Sequence, residues 1–316
     1  MMDINNEILK LDWKREPYGL YAPIEYTLAA GGKRVRPQLA MIACQMFGGK
    51  DEDVLPAALA LEVFHNFTLL HDDVMDKADV RRGRPTVHVK WNENTAILSG
   101  DQMLIEAYKL LSGVPADKLP KVLQLFNKMA TEICEGQQYD VDFESQEHVT
   151  IEEYLKMIRL KTSVLLATAL QIGAYIAGAS EEQQEALYQF GINVGLAFQI
   201  QDDILDVWGD PATFGKAVGG DISCNKKTFV YLEAMRQLGD GASKELHYWY
   251  NQILEDNTEK IATVKGIFEA LGVRAACENV VEEYTQSALE LLKDLPQNEA
   301  TRKLRKLADK LNTRNS

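Results

Sequence analysis

The chain has 316 residues, 46% apolar and 26% charged, a globular balance that excludes a disordered or fibrous protein. Lys and Arg number 34 against 47 Asp and Glu, a net charge of −13. That charge argues against general nucleic-acid binding, yet it leaves phosphate ligands open wherever cations neutralise them.

From the N-terminus, Met1–Glu7 lacks the basic and apolar regions of a signal peptide. Gly31-Gly32-Lys33-Arg34-Val35-Arg36-Pro37 follows as a glycine turn that opens a helix, with N–H groups and guanidinium forks suited to phosphate oxygens. Apolar residues at three- and four-residue steps predict long helices over Val54–Asp76, Ile151–Ala177 and Glu182–Val207. Gly-, Pro- or Asp-rich breaks stand at Gly31-Gly32, Gly48-Gly49, Arg82-Gly83-Arg84-Pro85, Gly209-Asp210-Pro211, Gly219-Gly220 and Gly239-Asp240-Gly241. Thr162–Ser180 is uncharged and approaches the length of a membrane span. Its Ser163, Thr168, Gln171 and Gly173 make it a buried core helix instead, so no stable membrane insertion is expected. The four cysteines, Cys44, Cys134, Cys224 and Cys277, form no Cys-x-x-Cys pair and predict reduced, mostly buried thiols of a cytoplasmic protein. Alternating β-branched runs are almost absent. The prediction is one all-α domain over residues 1–316 with ten or more helices.

Two helices, over Leu59–Leu70 and Gly191–Ile200, are apolar around most of their circumference, which places them centrally in a bundle. Each ends in a burst of acid: His71-Asp72-Asp73-Val74-Met75-Asp76 and Gln201-Asp202-Asp203-Ile204-Leu205-Asp206. In both, the first and last Asp lie four apart on one helix face, where like charges repel. A cation between them removes the conflict, and carboxylates with spare water positions suit Mg²⁺ bridging to a diphosphate. If the two helices face each other, the two sets hold Mg²⁺ around one diphosphate and stabilise it as a leaving group. The Lys33–Arg36 turn and Arg81-Arg82-Gly83 supply the cationic complement, so the pattern describes two diphosphates, one held through metal and one directly.

These residues make the chain resemble the trans-isoprenyl diphosphate synthases, the polyprenyl synthetase family. The matching motifs span nearly the whole chain in order: G-G-K-R-x-R-P at Gly31–Pro37, L-x-H-D-D-x-x-D followed by R-R-G, E-G-Q-Q-x-D at Glu135–Asp140, Lys161-Thr162, F-Q-I-Q-D-D-x-x-D at Phe198–Asp206, and G-K-x-x-G-G-D-I with N-K-K-T over Gly215–Thr228. The resemblance implies an all-α fold around a deep central cavity, a homodimer, and Mg²⁺-dependent condensation of isopentenyl diphosphate with an allylic diphosphate (dimethylallyl, geranyl or farnesyl). It further implies that Asp72, Asp76 and Asp202 ligate Mg²⁺, three ions per site, with Asp73, Asp203 and Asp206 in or just behind that shell. Arg81, Lys161, Lys216 and Lys226 would grip the allylic diphosphate; Lys33, Arg36, His65 and Arg82 would hold isopentenyl diphosphate. Thr162, Gln199 and Gln137 would line the reacting centre, with Asp140 nearby. The ending Asn312–Ser316 matches the family's basic tail poorly, which leaves a closure role for Arg314 unsupported.

Side chains before the first Asp set how far a product grows. Thr68 lies one helical turn before Asp72, Phe64 lies two, and Phe67 lies five residues before it, about 7 to 8 Å along the axis. Phe64 and Phe67 also read simply as core aromatics. In the family, an aromatic at Phe67's place accompanies short products, and Thr68 leaves slightly more room. The first acidic motif also lacks the two-residue insertion of many bacterial farnesyl synthases. The expectation is a C15 to C20 product, leaning towards geranylgeranyl diphosphate. A terpene cyclase-like enzyme needs no second diphosphate site, whereas Lys33, Arg36 and Arg82 imply one. A non-catalytic synthase subunit is marked by loss of an acidic cluster, and both clusters are present.

Overall fold

A computed structural model describes residues 3–210 and 218–312. The described residues are overwhelmingly helical: α1 (Ile4–Leu9), α2 (Tyr18–Leu28), α3 (Val35–Met46), α4 (Asp51–Met75), α5 (Val87–Lys90), α6 (Glu93–Leu111), α7 (Leu119–Ser145), α8 (Ile151–Ile158), α9 (Val164–Ile176) and α10 (Glu181–Trp208). Then come α11 (Gly220–Ser223), α12 (Phe229–Ala242), α13 (Lys244–Tyr250), α14 (Thr258–Leu271), α15 (Val273–Leu291) and α16 (Glu299–Asn312). Among the described residues, the extended structure is a two-stranded antiparallel ladder, β1 (Val80–Arg81) against β2 (Arg84–Pro85). The fold is all-α, as composition and periodicity predict.

Backbone contacts divide the chain into two compact units. The first takes in residues up to Asn127 with Thr168–Glu185 and Asn298–Ala300; the second takes in Lys128–Ala167, Ala186–Gln297 and residues from Thr301 on. The first is built on α4. Asp51, Glu52 and Asp53 in its first turn complement the helix dipole. From there Val54, Ala57, Ala58, Leu59, Ala60, Leu61, Val63, Phe64 and Leu70 are buried. By length and composition α4 is apolar enough to cross a membrane, but 61% of its most apolar window is buried within the protein, as in a core helix.

The second unit is built on α10. A Cβ on Gly191 would stand 2.5 Å from the Ala167 Cα, and one on Gly195 2.5 Å from the Ser163 hydroxyl. Small residues there let two helices meet at backbone distance. The helix predicted over Ile151–Ala177 is interrupted by a π-helical turn, Arg159–Ser163, a feature helical periodicity does not reveal. The break predicted at Gly239 is a kink inside α12, where Gly239 adopts φ 62° and ψ −179°. The thiols depart from expectation: Cys44 and Cys277 are buried, whereas Cys134, on α7, and Cys224, just after α11, are exposed.

Candidate active site

In the first unit the glycine turn takes left-handed backbone. Gly31 and Gly32 take φ 76° and 138°, and Arg34, the residue before α3, takes φ 49°. That left-handed step turns the Arg34 side chain inward. Its Nη1 donates to Glu62 Oε1 at 2.6 Å and its Nη2 to the Leu28 carbonyl at 2.6 Å. The ion pair is almost sealed, with Arg34 5% and Glu62 2% exposed, and Asn66 Nδ2 adds a hydrogen bond of 3.0 Å to the same Glu62 oxygen. So Arg34 is structural, while Lys33 on its N-terminal side is exposed and Arg36 is half-buried.

The first acidic set ends α4. The Asp76 N–H donates to the Asp72 carbonyl at 2.8 Å, so both residues stay on the helical path; Asp72 is half-buried and Asp76 exposed. Asp73 is buried and already engaged, accepting from Arg81 Nε at 2.7 Å. Arg82 and Gly83 form the two-residue turn between β1 and β2 at φ 52° and 71°, as a tight hairpin requires. Arg82 Nη1 then donates to the Gly31 carbonyl, which ties the hairpin to the glycine turn.

Arg34, Arg36, Arg81 and Arg82 all act electrostatically on His65. Burial, then these cations, hold the His65 imidazole well below its ordinary value of 6.5. Burial likewise lowers the Arg36 guanidinium to about 10, with Arg82 adding repulsion and Glu62 opposing it. Burial also lowers Arg82. The Arg36 Nε is buried without a hydrogen-bond partner. Crowded cations with an unsatisfied donor are relieved by an anion rich in acceptor oxygens, and a diphosphate is one.

Below this array lies an aromatic group. Phe64 meets Phe67 at 5.4 Å between ring centroids and Phe126 at 5.2 Å, and Phe126 meets Tyr108 at 5.3 Å. Phe67 stacks edge-on to His71 at 4.8 Å, and the Thr68 hydroxyl is spent on the His65 carbonyl at 2.8 Å. Neither Phe126 nor Tyr108 lies near a motif, so the sequence does not mark them.

In the second unit the π-helical turn carries Lys161 and Thr162. Lys161 Nζ is 2.5 Å from Asp140 Oδ2 on α7. The Thr162 hydroxyl donates to Gln199 Oε1 at 3.3 Å, and Gln199 Nε2 reaches Asp203 Oδ1 at 3.4 Å. Asp203 is 3% exposed and accepts at its other oxygen from the Tyr154 hydroxyl at 2.5 Å and the Phe229 N–H at 3.1 Å. Burial and the Asp221 charge push the Asp203 carboxyl well up, against the pull of those two donors. The Asp206 carboxylate accepts from the Asp221 N–H, in α11, at 3.0 Å. Asp202 and Gln137 are half-buried and Lys226 is exposed, whereas Lys216 and Arg314 lie outside the described residues. Tyr154 and the Phe229 amide are partners of Asp203 that no motif marks.

The sequence pattern of the polyprenyl synthetases matches residues 17–271. The chain belongs to that family. It is a prenyltransferase of the isoprenyl diphosphate synthase kind. It is 40% identical to the geranylgeranyl diphosphate synthase of Methanosarcina mazei over 283 residues, 89% of this chain and 86% of that one. It is 39% identical to the geranylfarnesyl diphosphate synthase of Natronomonas pharaonis, over 93% of this chain and 90% of that one. A crystal structure of a geranylgeranyl pyrophosphate synthase superposes with a TM-score of 0.93 at 47% identity, covering 100% of both chains.

The family depends on magnesium, and the acidic helix ends of this synthase fit that ion. Among the described residues no three His, Cys, Asp or Glu side chains gather into a ready-made cage. Mg²⁺ needs none, because it keeps several waters and takes one or two carboxylates with substrate phosphates. Asp73 accepts from Arg81, and Asp203 from Tyr154 and the Phe229 N–H, so these two carboxylates are engaged by donors of the protein.

Proposed function

We propose that the protein joins isopentenyl diphosphate to an allylic diphosphate (dimethylallyl, geranyl or farnesyl) and releases a C15 to C20 product, foremost geranylgeranyl diphosphate. The observation that carries this reading is the cationic array around His65 with the unpartnered Arg36 Nε, a setting that suits a diphosphate held directly by side chains. Lys33, Arg36, His65 and Arg82 hold isopentenyl diphosphate there. A neutral His65 donates one hydrogen bond to a phosphate oxygen without adding another charge to the array.

Arg81, Lys161, Lys226 and Lys216 hold the allylic diphosphate. Asp73 fixes Arg81, and Asp140 fixes Lys161, so neither cation must be ordered when substrate arrives. Asp72, Asp76 and Asp202 hold three Mg²⁺, with Asp206 and Asp203 behind them; when bound, the ions neutralise the departing diphosphate. Thr162, Gln199 and Gln137 line the reacting carbons. The isopentenyl double bond attacks the allylic carbon as its C–O bond breaks. The proton lost afterwards goes to the released diphosphate, so no protein base is needed.

Phe67, with Phe64 beneath it and Thr68 beside it, sets product length. The names of the relatives, which make C20 and C25 diphosphates, support a product at the long end of the range. The whole chain serves as one cytoplasmic catalytic domain and works as a homodimer. The exposed Ile97, Leu98, Ile105 and Tyr108 on α6 support that pairing.

The test is incubation with Mg²⁺, isopentenyl diphosphate and each allylic primer, followed by measurement of product length. C20 from all three primers is expected; no elongation from any of them overturns the reading. Asp72→Ala and Asp202→Ala should each abolish turnover while the helical signal is kept.

A further inference from the structure

Lys260, in the first turn of α14, is 0% exposed. Among the described residues no carboxylate pairs with it. Its ammonium donates to Asn225 Oδ1 and, at 2.8 Å, to the Gln252 carbonyl. Burial lowers its pKa, and Cys224 opposes that effect. The ammonium also lies 5.9 Å from the centroid of the Tyr250 ring. A buried ammonium without an ion pair is costly, and a Leu or Met would fill the same space without that cost. Lys260 cannot reach substrate from inside the protein, so its use must lie in what it holds.

What it holds is the residue before Lys226. Asn225 sits in the left-handed region at φ 58°, and that single step turns the chain so that the Lys226 side chain is exposed. The Lys226 backbone has further partners, which hold the peptide but leave the direction of the turn to Asn225. Its N–H donates to the Asp221 carbonyl at 2.9 Å, and its carbonyl accepts from the Thr228 N–H at 2.9 Å and from the Tyr250 hydroxyl. The Tyr250 ring stacks on Tyr231 at 4.0 Å. At the other end of the loop, Gly219 (φ 84°) lies against Ile261, the neighbour of Lys260; a Cβ there would come within 2.8 Å of the Ile261 side chain. Gly219 N–H donates to the Asp206 carbonyl at 2.6 Å. Two consecutive residues of α14 therefore lie against both ends of the stretch from Gly219 to Asn225, which leads into Lys226.

We propose that Lys260 is a positioning residue for the allylic diphosphate: by gripping Asn225 it fixes the turn that presents Lys226 to the substrate. This rests on the function proposed above, in which Lys226 binds that diphosphate. The role explains why a buried ammonium is kept where no carboxylate of the described residues forms an ion pair with it. A hydrogen bond from a charged donor holds a left-handed Asn more firmly than a neutral one.

Two substitutions in the full-length protein test it, assayed with Mg²⁺, isopentenyl diphosphate and geranyl diphosphate. Lys260→Met keeps the length and removes the charge. Asn225→Gly removes the acceptor while glycine still adopts the left-handed backbone, and a melting curve confirms that the variant is folded. Both should raise KM for geranyl diphosphate about tenfold and leave KM for isopentenyl diphosphate within about twofold. Lys226→Ala should raise the same KM, and adding Asn225→Gly to it should change the value by less than about threefold, because both act through one contact. An unchanged geranyl diphosphate KM in Asn225→Gly, equal rises for both substrates, or effects that multiply would each overturn the proposal. Absence of elongation by the unsubstituted protein would instead overturn the proposed function itself.

Discussion

Gly136 and Lys161 meet backbone to backbone: a Cβ built on Gly136 would stand 2.3 Å from the Lys161 nitrogen and 2.7 Å from the Leu160 carbonyl carbon. The glycine of E-G-Q-Q-x-D is therefore a spacer that lets α7 touch the π-helical turn, and Asp140, one turn further along α7, can then grip Lys161 at 2.5 Å. Gly136→Ala should push that turn away. Overpacking of this kind costs about 1–3 kcal/mol, and displacement of the reacting centre by about an ångström costs on the order of 100-fold in rate. Urea unfolding and turnover number measure the two effects; full activity in Gly136→Ala would show that the contact does not position Lys161.

Asp73 lies in the acidic triplet, but its nearest charge is Arg81, at 2.7 Å. Burial raises the Asp73 carboxyl and Arg81 pulls it back. Asp73→Asn keeps the shape and gives up the charge. The expected result is a higher KM for the allylic diphosphate, about five- to tenfold, with a stability loss of about 1 kcal/mol, because the Arg81 side chain is half in solvent. A loss of turnover as complete as that expected of Asp72→Ala, instead of a raised KM, would make Asp73 a ligand and contradict this assignment.

Phe64 and Phe67 differ in how cleanly they report on product length. Phe64 is 1% exposed and packs on Phe126, so Phe64→Ala carries a core penalty of about 3–5 kcal/mol. Phe67 is half-buried and loses less. Phe67→Ala should therefore lengthen the product by at least one isoprene unit in a protein that melts near the unsubstituted one. Chromatography of the dephosphorylated products decides it, and an unchanged distribution removes Phe67 as the stop.

His65 makes stability depend on pH. Its folded pKa lies well below the 6.5 of a free imidazole, because of burial and then the surrounding arginines. Between those two values the unfolded chain binds a proton that the folded protein does not, so stability falls as pH drops below about 6.5. Melting temperature measured across pH 5 to 8 should show this slope, and His65→Gln should flatten it. A bound diphosphate supplies the missing negative charge and should flatten it as well.

The amino-acid order alone carried the helical class, the positions of α4 and α10, and the two acidic helix ends, because those signals are local: apolar spacing and like charges one turn apart. Motif resemblance extended that reading to Lys161, Gln199 and the cationic turns. The partners of individual acids were not local information. Nothing in the sequence of the two triplets marks Asp73 as the partner of Arg81, or Asp203 as the partner of Tyr154 and the Phe229 amide; packing does. Glu62, the lone acid in an apolar run, was the one visible hint of the buried Arg34 pair, and nothing announced the π-helical turn or the sealed ammonium of Lys260. Those features depend on partners tens of residues away, which chain order does not bring together and tertiary packing does.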